Sequence, residues 1–171
     1  MTAAEFILAL VTAQRGTELL LSRRNTQRLM ARGAVEVAFA HYPLMVGLHA
    51  SWLIALWLFG HDHDVNPFAL AAYLALQGLR AWVMLTLGAR WTTGIIVVPN
   101  EPLISRGPYR FLRHPNYVVV AGEIATLPLM LGLYWLAALF TVLNALVLFI
   151  RIRAENRALD ASRLITAQGA P

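Results

Sequence analysis

The sequence contains no cysteine and no lysine; all fourteen of its basic residues are arginine. The first absence excludes disulfides and thiol chemistry. Charge is scarce too, at 13% of residues, where a soluble domain carries about a quarter. There is no glycine-rich dinucleotide fingerprint, no internal repeat and no low-complexity segment. The first apolar run lacks a basic stretch before it and holds Arg15 and Glu18, unlike a cleaved signal peptide.

Hydrophobic residues make up the balance, 58% of 171 positions, with mean hydropathy +0.59. That composition indicates an integral-membrane protein of one domain spanning 1–171. A spanning helix needs about 20 mostly apolar residues. Five runs come near that length: Ala3–Leu21, Leu44–Gly60, Phe68–Gly88, Val118–Leu133 and Tyr134–Ile150. The fold class expected is therefore all-α, an integral-membrane bundle of about five transmembrane helices. The last two runs are contiguous, and Pro128, Gly132 and the aromatic pair Tyr134-Trp135 favour a hairpin between them.

The arginines fall in the gaps between runs. Arg23, Arg24, Arg28 and Arg32 follow the first, Arg90, Arg106, Arg110 and Arg113 follow the third, and Arg151, Arg153, Arg157 and Arg163 follow the fifth. The segment His61–Pro67 and the turn between runs four and five carry none. The positive-inside rule then puts every arginine-bearing segment in the cytoplasm and the N-terminus outside. A net charge of +5 distributed in this way matches anionic membrane lipids rather than nucleic acid. Asn25–Pro43 is expected to be partly helical, with Glu36, Phe39, His41 and Tyr42 positioned to cover the active face. Beyond Arg151 the pattern predicts a polar-faced helix with Ile152, Leu159 and Ile165 as anchors, and a frayed tail from Thr166.

The densest polar cluster is Gly107–Tyr117, GPYRFLRHPNY, at the mouth of the fourth run. Gly107-Pro108 and His114-Pro115 punctuate its backbone, because proline lacks an N–H and biases the preceding residue away from helix. Arg151 and Glu155 are four residues apart and share one helix face, with Arg153 pointing elsewhere. The predicted hairpin brings that face level with His114 and Tyr117. Within the spans, Arg15 and Glu18 share a face and can pair, and Glu123 is a buried carboxylate for which a functional role is expected, because an unpaired one is costly. His49 and Arg80 are expected to bond to backbone or water. His61–Asp64, HDHD, offers metal-ligand types but reads as a solvated turn, so no metal is expected.

At GPYRFLRHPNY, the hairpin and RIRAEN, the sequence resembles the isoprenylcysteine carboxyl methyltransferase family of integral-membrane enzymes, most closely over Trp91–Leu159. A related motif occurs in membrane phospholipid N-methyltransferases. The N-terminal RGTELLLSRRN and GAVEVAFAHYPLM resemble a bacterial subgroup that accompanies type III polyketide synthases and methylates long-chain alkylpyrones or alkylresorcinols. The resemblance implies S-adenosylmethionine as methyl donor, a lipophilic acceptor, and a polyketide synthase as partner. It also implies a donor-binding core at 91–159 on the cytoplasmic side of a bacterial inner membrane. Carried over, His114, Pro115, Asn116 and Tyr117 line the donor pocket, Glu155 binds the donor, Arg151 meets the acceptor, and Gly122 with the wall around Leu127 contributes by position. Arg151 and His114 are the catalytic candidates. If the acceptor needs a general base, His114 and Glu123 are the choices. Many members have two successive glutamates where this chain has Glu155-Asn156. Three alternatives stay open: a methyltransferase for a prenylcysteine carboxylate or lipid amine, a membrane NADPH-dependent reductase, and a non-catalytic partner of a synthase.

Overall fold

A computed structural model describes residues 1–37, 42–99, 101–102 and 104–168, with 158–168 as backbone only. Among the described residues there are five α-helices and one two-stranded ribbon. In chain order they are α1 (Ala3–Met30), β1 (Val35–Val37), α2 (Tyr42–Gly60), α3 (Pro67–Leu87), β2 (Ile95–Val97), α4 (Pro115–Met130) and α5 (Tyr134–Gln168). The chain is thus an all-α membrane bundle. Three helices are long and apolar enough by themselves to cross a membrane, over Tyr42–Gly60, Pro67–Arg90 and Tyr134–Arg157.

Local signals account for several boundaries. Thr2 caps α1 through a reciprocal pair with Glu5, satisfying backbone donors that the first turn leaves open. Asn66 caps α3 by accepting from the amides of Phe68 and Ala69 at 3.0 and 3.2 Å, with Pro67 next in line. The hairpin turn lies at Leu131–Leu133, where Gly132 takes φ +70°, a conformation glycine adopts without penalty.

One sequence expectation is corrected. The first helix does not stop at Leu21, where hydropathy falls, but continues to Met30. Asn25–Pro43 is partly helical as expected, through the end of α1 and the start of α2, and it also holds a strand: β1 pairs antiparallel with β2, Val35 facing Val97 and Val37 facing Ile95. Phe39 and His41 lie outside the described residues, as do the side chains of Leu159 and Ile165.

The two ends of the bundle differ. At one end the α2–α3 loop, the N-terminus of α1 and the α4–α5 turn are tied together. Thr2 Oγ1 donates to the His61 carbonyl at 2.7 Å, His63 Nδ1 to the Leu131 carbonyl at 2.7 Å, and the Asn66 amide to the Met130 carbonyl at 2.8 Å. HDHD is therefore an exposed loop fastened to the hairpin, remote from the arginine-bearing segments. Below it lies the apolar core, with Leu8, Trp52, Leu56, Ile124, Leu127, Leu136 and Phe140 all buried.

Toward the other end the inward stripes become polar at mid-depth. On α1 the inward positions run Ala4, Leu8, Val11, then Arg15, Glu18, Ser22 and Asn25, then Leu29. On α5 they run Leu136, Phe140, then Asn144, Val147, Arg151 and Glu155. At the changeover four charges meet. Arg15 bonds Glu18 at 2.8 Å and Glu123 at 2.7 Å. Arg80 bonds Glu18 at 2.9 Å and closes a second contact to Glu123. Gln14 donates to Glu18 at 2.8 Å and Gln77 to Glu123 at 2.6 Å. The Arg15–Glu18 pairing is present as expected, but Glu123 is fully paired, and Arg80 bonds carboxylates rather than backbone or water. Two positive and two negative charges cancel, as burial in a bilayer requires.

Removing one member leaves the others buried without compensation, at a cost of about 3–5 kcal/mol. Glu123→Ala should lower the midpoint of thermal unfolding in detergent by far more than Glu5→Ala, whose carboxylate only caps an exposed helix end. Equal midpoints for the two variants would refute the role of the quartet.

Candidate active site

The backbone around His114 is shaped by its neighbour Pro115, which occupies the first position of α4. His114 itself lies outside the helix at φ −131°, ψ 64°, and its side chain makes no capping bond. The imidazole is thereby turned toward α5. Tyr117, three residues on, lies on the same side, and the two rings stack with centroids 5.4 Å apart. Upstream, Gly107 takes φ +60°, and any side chain there would strike Thr86, so the following 3-10 turn (Gly107–Arg110) is held against α3.

The hairpin delivers Glu155 to this cluster. Tyr117 donates its hydroxyl to Glu155 Oε2 at 2.5 Å, and His114 Nδ1 lies 3.7 Å from Oε1. His114 Nε2 is 3.2 Å from Asn156 Oδ1. The side chains of His114 and Glu155 are 18% and 27% exposed, so the cluster is reachable from water. Tyr109 faces the same carboxylate; burial first, and the charge of Glu155 second, push its phenol up to about 12. It stays a neutral hydroxyl at working pH.

These residues line one end of a cavity of about 1080 Å³, at the upper end of the usual size for ligand sites. Tyr109, His114, Asn116, Tyr117, Arg151 and Glu155 are on its wall. Several buried polar atoms there have no hydrogen-bond partner among the described residues: Asn116 Oδ1, Asn144 Oδ1, Arg151 Nε and Trp91 Nε1. Such atoms are rare inside proteins and call for a partner such as water or a bound molecule. Much of the remaining lining is apolar, with Leu53, Ile95, Val97, Val120, Val147 and Leu148 among it.

Arg151 is held by a segment that sequence reasoning passed over. Its Nη2 donates to the Thr93 carbonyl at 2.8 Å. Ser22 Oγ accepts from the Thr93 amide at 2.9 Å, and Tyr42 OH lies 3.1 Å from Thr93 Oγ1. Asn25 Nδ2 donates to the Trp91 carbonyl at 2.8 Å. Residues 94–98 after Thr93 line the cavity; Tyr42 and Glu36 are off its wall, Tyr42 against Thr93 and Glu36 beside Gly94. The available signal was the spacing of Glu18, Ser22 and Asn25, which continues the inward stripe of α1.

Two residues expected at the donor pocket are found elsewhere. Gly122 faces α3, where a side chain would collide with Leu76 at 2.7 Å; it permits a close approach of two helices. Pro115 is buried at the start of α4 and is off the cavity wall. Leu127 belongs to the apolar core.

Residues 69–161 match the isoprenylcysteine carboxyl methyltransferase (ICMT) family. The chain belongs to that family. A methyltransferase embedded in a membrane is the coarse reading that follows from membership. The matched stretch runs from α3 into α5 and contains the whole His114–Glu155 cluster. Among curated proteins, a Bacillus subtilis (strain 168) protein, "Uncharacterized protein YpbQ", is 36% identical over 159 residues, covering 90% of this chain and 95% of that protein. A Haemophilus influenzae "Uncharacterized protein" is 23% identical over 158 residues, covering 89% of this chain and 92% of its own length. No solved structure matches the chain.

Asn25→Ala strips the Trp91 carbonyl of its buried partner, a loss of about 1–3 kcal/mol. Hydrogen exchange across residues 91–97 should accelerate roughly tenfold or more, since 1.4 kcal/mol is a factor of ten, while exchange in α2 stays unchanged. Unaltered exchange at 91–97 would mean that Asn25 does not secure this segment.

Proposed function

We propose that the protein is an S-adenosylmethionine-dependent O-methyltransferase acting on a lipophilic acceptor, a long-chain alkylpyrone or alkylresorcinol produced by a type III polyketide synthase. The observation that carries this reading is the convergence of His114, Tyr117 and Glu155 at the watery end of a cavity whose other walls are largely apolar. One reactant approaches from the cytosol and the other from the bilayer.

The residues suit such a donor. Glu155 presents a carboxylate to hydroxyl or amino groups. Asn116 Oδ1, buried and unpartnered, adds an acceptor beside it. Tyr117 offers its ring to a sulfonium, a cation–π contact of about 0.5–2 kcal/mol. The donor supplies an electrophilic methyl group; the chain supplies position and charge, and positioning two bound reactants can account for most of the rate. On the acceptor side, Arg151 Nε is buried without a partner while Nη2 is fastened to Thr93. A guanidinium fixed in this way holds an acceptor oxygen as its anion. His114, against Glu155 and Asn156, orders the cluster from the water side. The donor-binding core is 91–159, inside the matched stretch.

The distribution of arginines supports a cytoplasmic orientation of this end. Bacterial relatives of nearly the full length support a bacterial inner membrane. Membrane lipids are the surrounding partners, and a polyketide synthase is the source of acceptor.

His114→Ala and Glu155→Ala should each abolish methyl transfer from labelled donor to the lipid while the protein still inserts in membranes; wild-type turnover in both would reject the site. Calorimetry should find S-adenosylhomocysteine binding and no NADPH binding, the reverse indicating a reductase and neither a non-catalytic partner. Labelled donor offered with each lipid class should label the pyrone or resorcinol; label in a prenylcysteine or lipid amine instead would reassign the acceptor.

A further inference from the structure

Within the His114–Glu155 cluster the partners are unevenly shared. Glu155 Oε2 accepts from the Tyr117 hydroxyl, and His114 Nε2 lies 3.2 Å from Asn156 Oδ1. His114 Nδ1 and Glu155 Oε1 are 3.7 Å apart, too far to hydrogen-bond to each other. Neither atom has another hydrogen-bond partner among the described residues. Both residues are on the cavity wall, so what stands between these two atoms comes from outside the chain.

Asn156 decides what Nδ1 is. An amide oxygen only accepts, so Nε2 carries the ring proton, and in the neutral ring Nδ1 bears the lone pair. The opposite tautomer would set the Nε2 lone pair against that of Oδ1 and aim its N–H at a carboxylate out of reach. The ring is held in this pose. It stacks on Tyr117 with an interplanar angle of 29°, and Tyr117 is itself bonded to Glu155. Nδ1 therefore presents a second acceptor beside Glu155 Oε1, one neutral and one anionic. Two acceptors this close repel unless a donor lies between them. A nitrogen bearing two or three hydrogens serves both, whereas a hydroxyl has one hydrogen to give. The carboxylate strengthens the bond when that nitrogen is cationic.

From this geometry we infer that Asn156 is a positioning residue of the donor site. Its amide oxygen holds the His114 proton on Nε2, and His114 Nδ1 with Glu155 Oε1 then forms a cradle for an amino group of the methyl donor. The inference rests on the S-adenosylmethionine reading above and deepens it. That donor carries two amino groups, the α-ammonium of its methionine part and the exocyclic amine of its adenine. Either can donate two hydrogens, and the same pair of acceptors suits both.

Nitrogen NMR of full-length protein in detergent, carrying isotope-labelled histidine, reads the tautomer directly, because protonated and unprotonated ring nitrogens resonate far apart. With the ring neutral, the His114 signal, assigned by its loss in His114→Gln, should show the proton on Nε2. Asn156→Ala should shift the population toward Nδ1–H and weaken S-adenosylhomocysteine binding about tenfold, the worth of one hydrogen bond. Asn156→Asp, which keeps an acceptor oxygen at the same reach, should retain Nε2–H and recover most of that affinity. Two analogues separate the amino groups: one lacking the α-ammonium, and S-inosylhomocysteine, in which oxygen replaces the adenine amine. At least one should bind the wild type about tenfold or more weakly than S-adenosylhomocysteine, and that gap should shrink in Asn156→Ala. Nδ1 protonation in the wild type, an unchanged tautomer in Asn156→Ala, a gap that does not shrink, or full binding of both analogues would overturn the inference. The wild-type tautomer and the two analogues decide it even if Asn156→Ala does not fold. Failure of the wild type to bind S-adenosylhomocysteine at all would overturn the donor reading and the cradle with it; Nδ1 protonation with normal binding overturns this inference alone.

Discussion

A charge in hydrocarbon must find its opposite, and in this protein that requirement decides how the helices meet. Arg15 and Glu18 come from α1, Arg80 from α3 and Glu123 from α4. α1 brings a neutral, mutually bonded pair, but α3 and α4 each carry one charge that neither can bury alone. In the structure the four meet where α1 lies against the α3–α4 pair. Packing of apolar surfaces tolerates sliding; a four-centre ion network with bidentate arginine does not. The apolar core fills the bundle on one side of that level, and the ligand cavity opens on the other.

The fold was largely legible because the bilayer imposes length and polarity together. The runs Leu44–Gly60 and Phe68–Gly88 fall within about two residues of α2 and α3, and the hairpin around Gly132 follows from proline, glycine and aromatic punctuation. What hydropathy misjudged was α1. Arg23, Arg24 and Arg28 lie on its outward side and depress the average, while Ser22, Asn25 and Leu29 keep the inward face buried. A helix continues as long as its backbone bonds do, whatever its outer face carries. The ribbon was invisible for a different reason. Two three-residue strands 58 or more positions apart carry no periodicity long enough to detect.

The cluster of His114, Tyr117 and Glu155 was readable because a Pro-punctuated motif and an i, i+4 pair on a neighbouring helix are local patterns joined by one tight turn. Thr93, Trp91 and Asn25 were not, since their roles arise from backbone carbonyls, and any residue has one. Gly122 shows the opposite error: a glycine near a motif invites a ligand reading, and here it serves helix–helix contact with Leu76. His49 was expected to bond backbone or water, and its Nδ1 meets the Met45 carbonyl one turn earlier on α2.

One further property follows from α5 being a single unbroken helix of 35 residues. At about 1.5 Å per residue it is some 52 Å long, well beyond the roughly 30 Å of hydrocarbon. Tyr134 and Trp135 suit one headgroup layer at its first turn, and Arg151 and Glu155 ride on the same rod about 25 and 31 Å away. The vertical position of Arg151 is thus fixed to the opposite leaflet like a mark on a ruler. Where the bilayer thins or thickens, the rod must tilt or shift, and the depth of the cavity's polar end changes with it. Membrane thickness is in this sense an input to the geometry of the site.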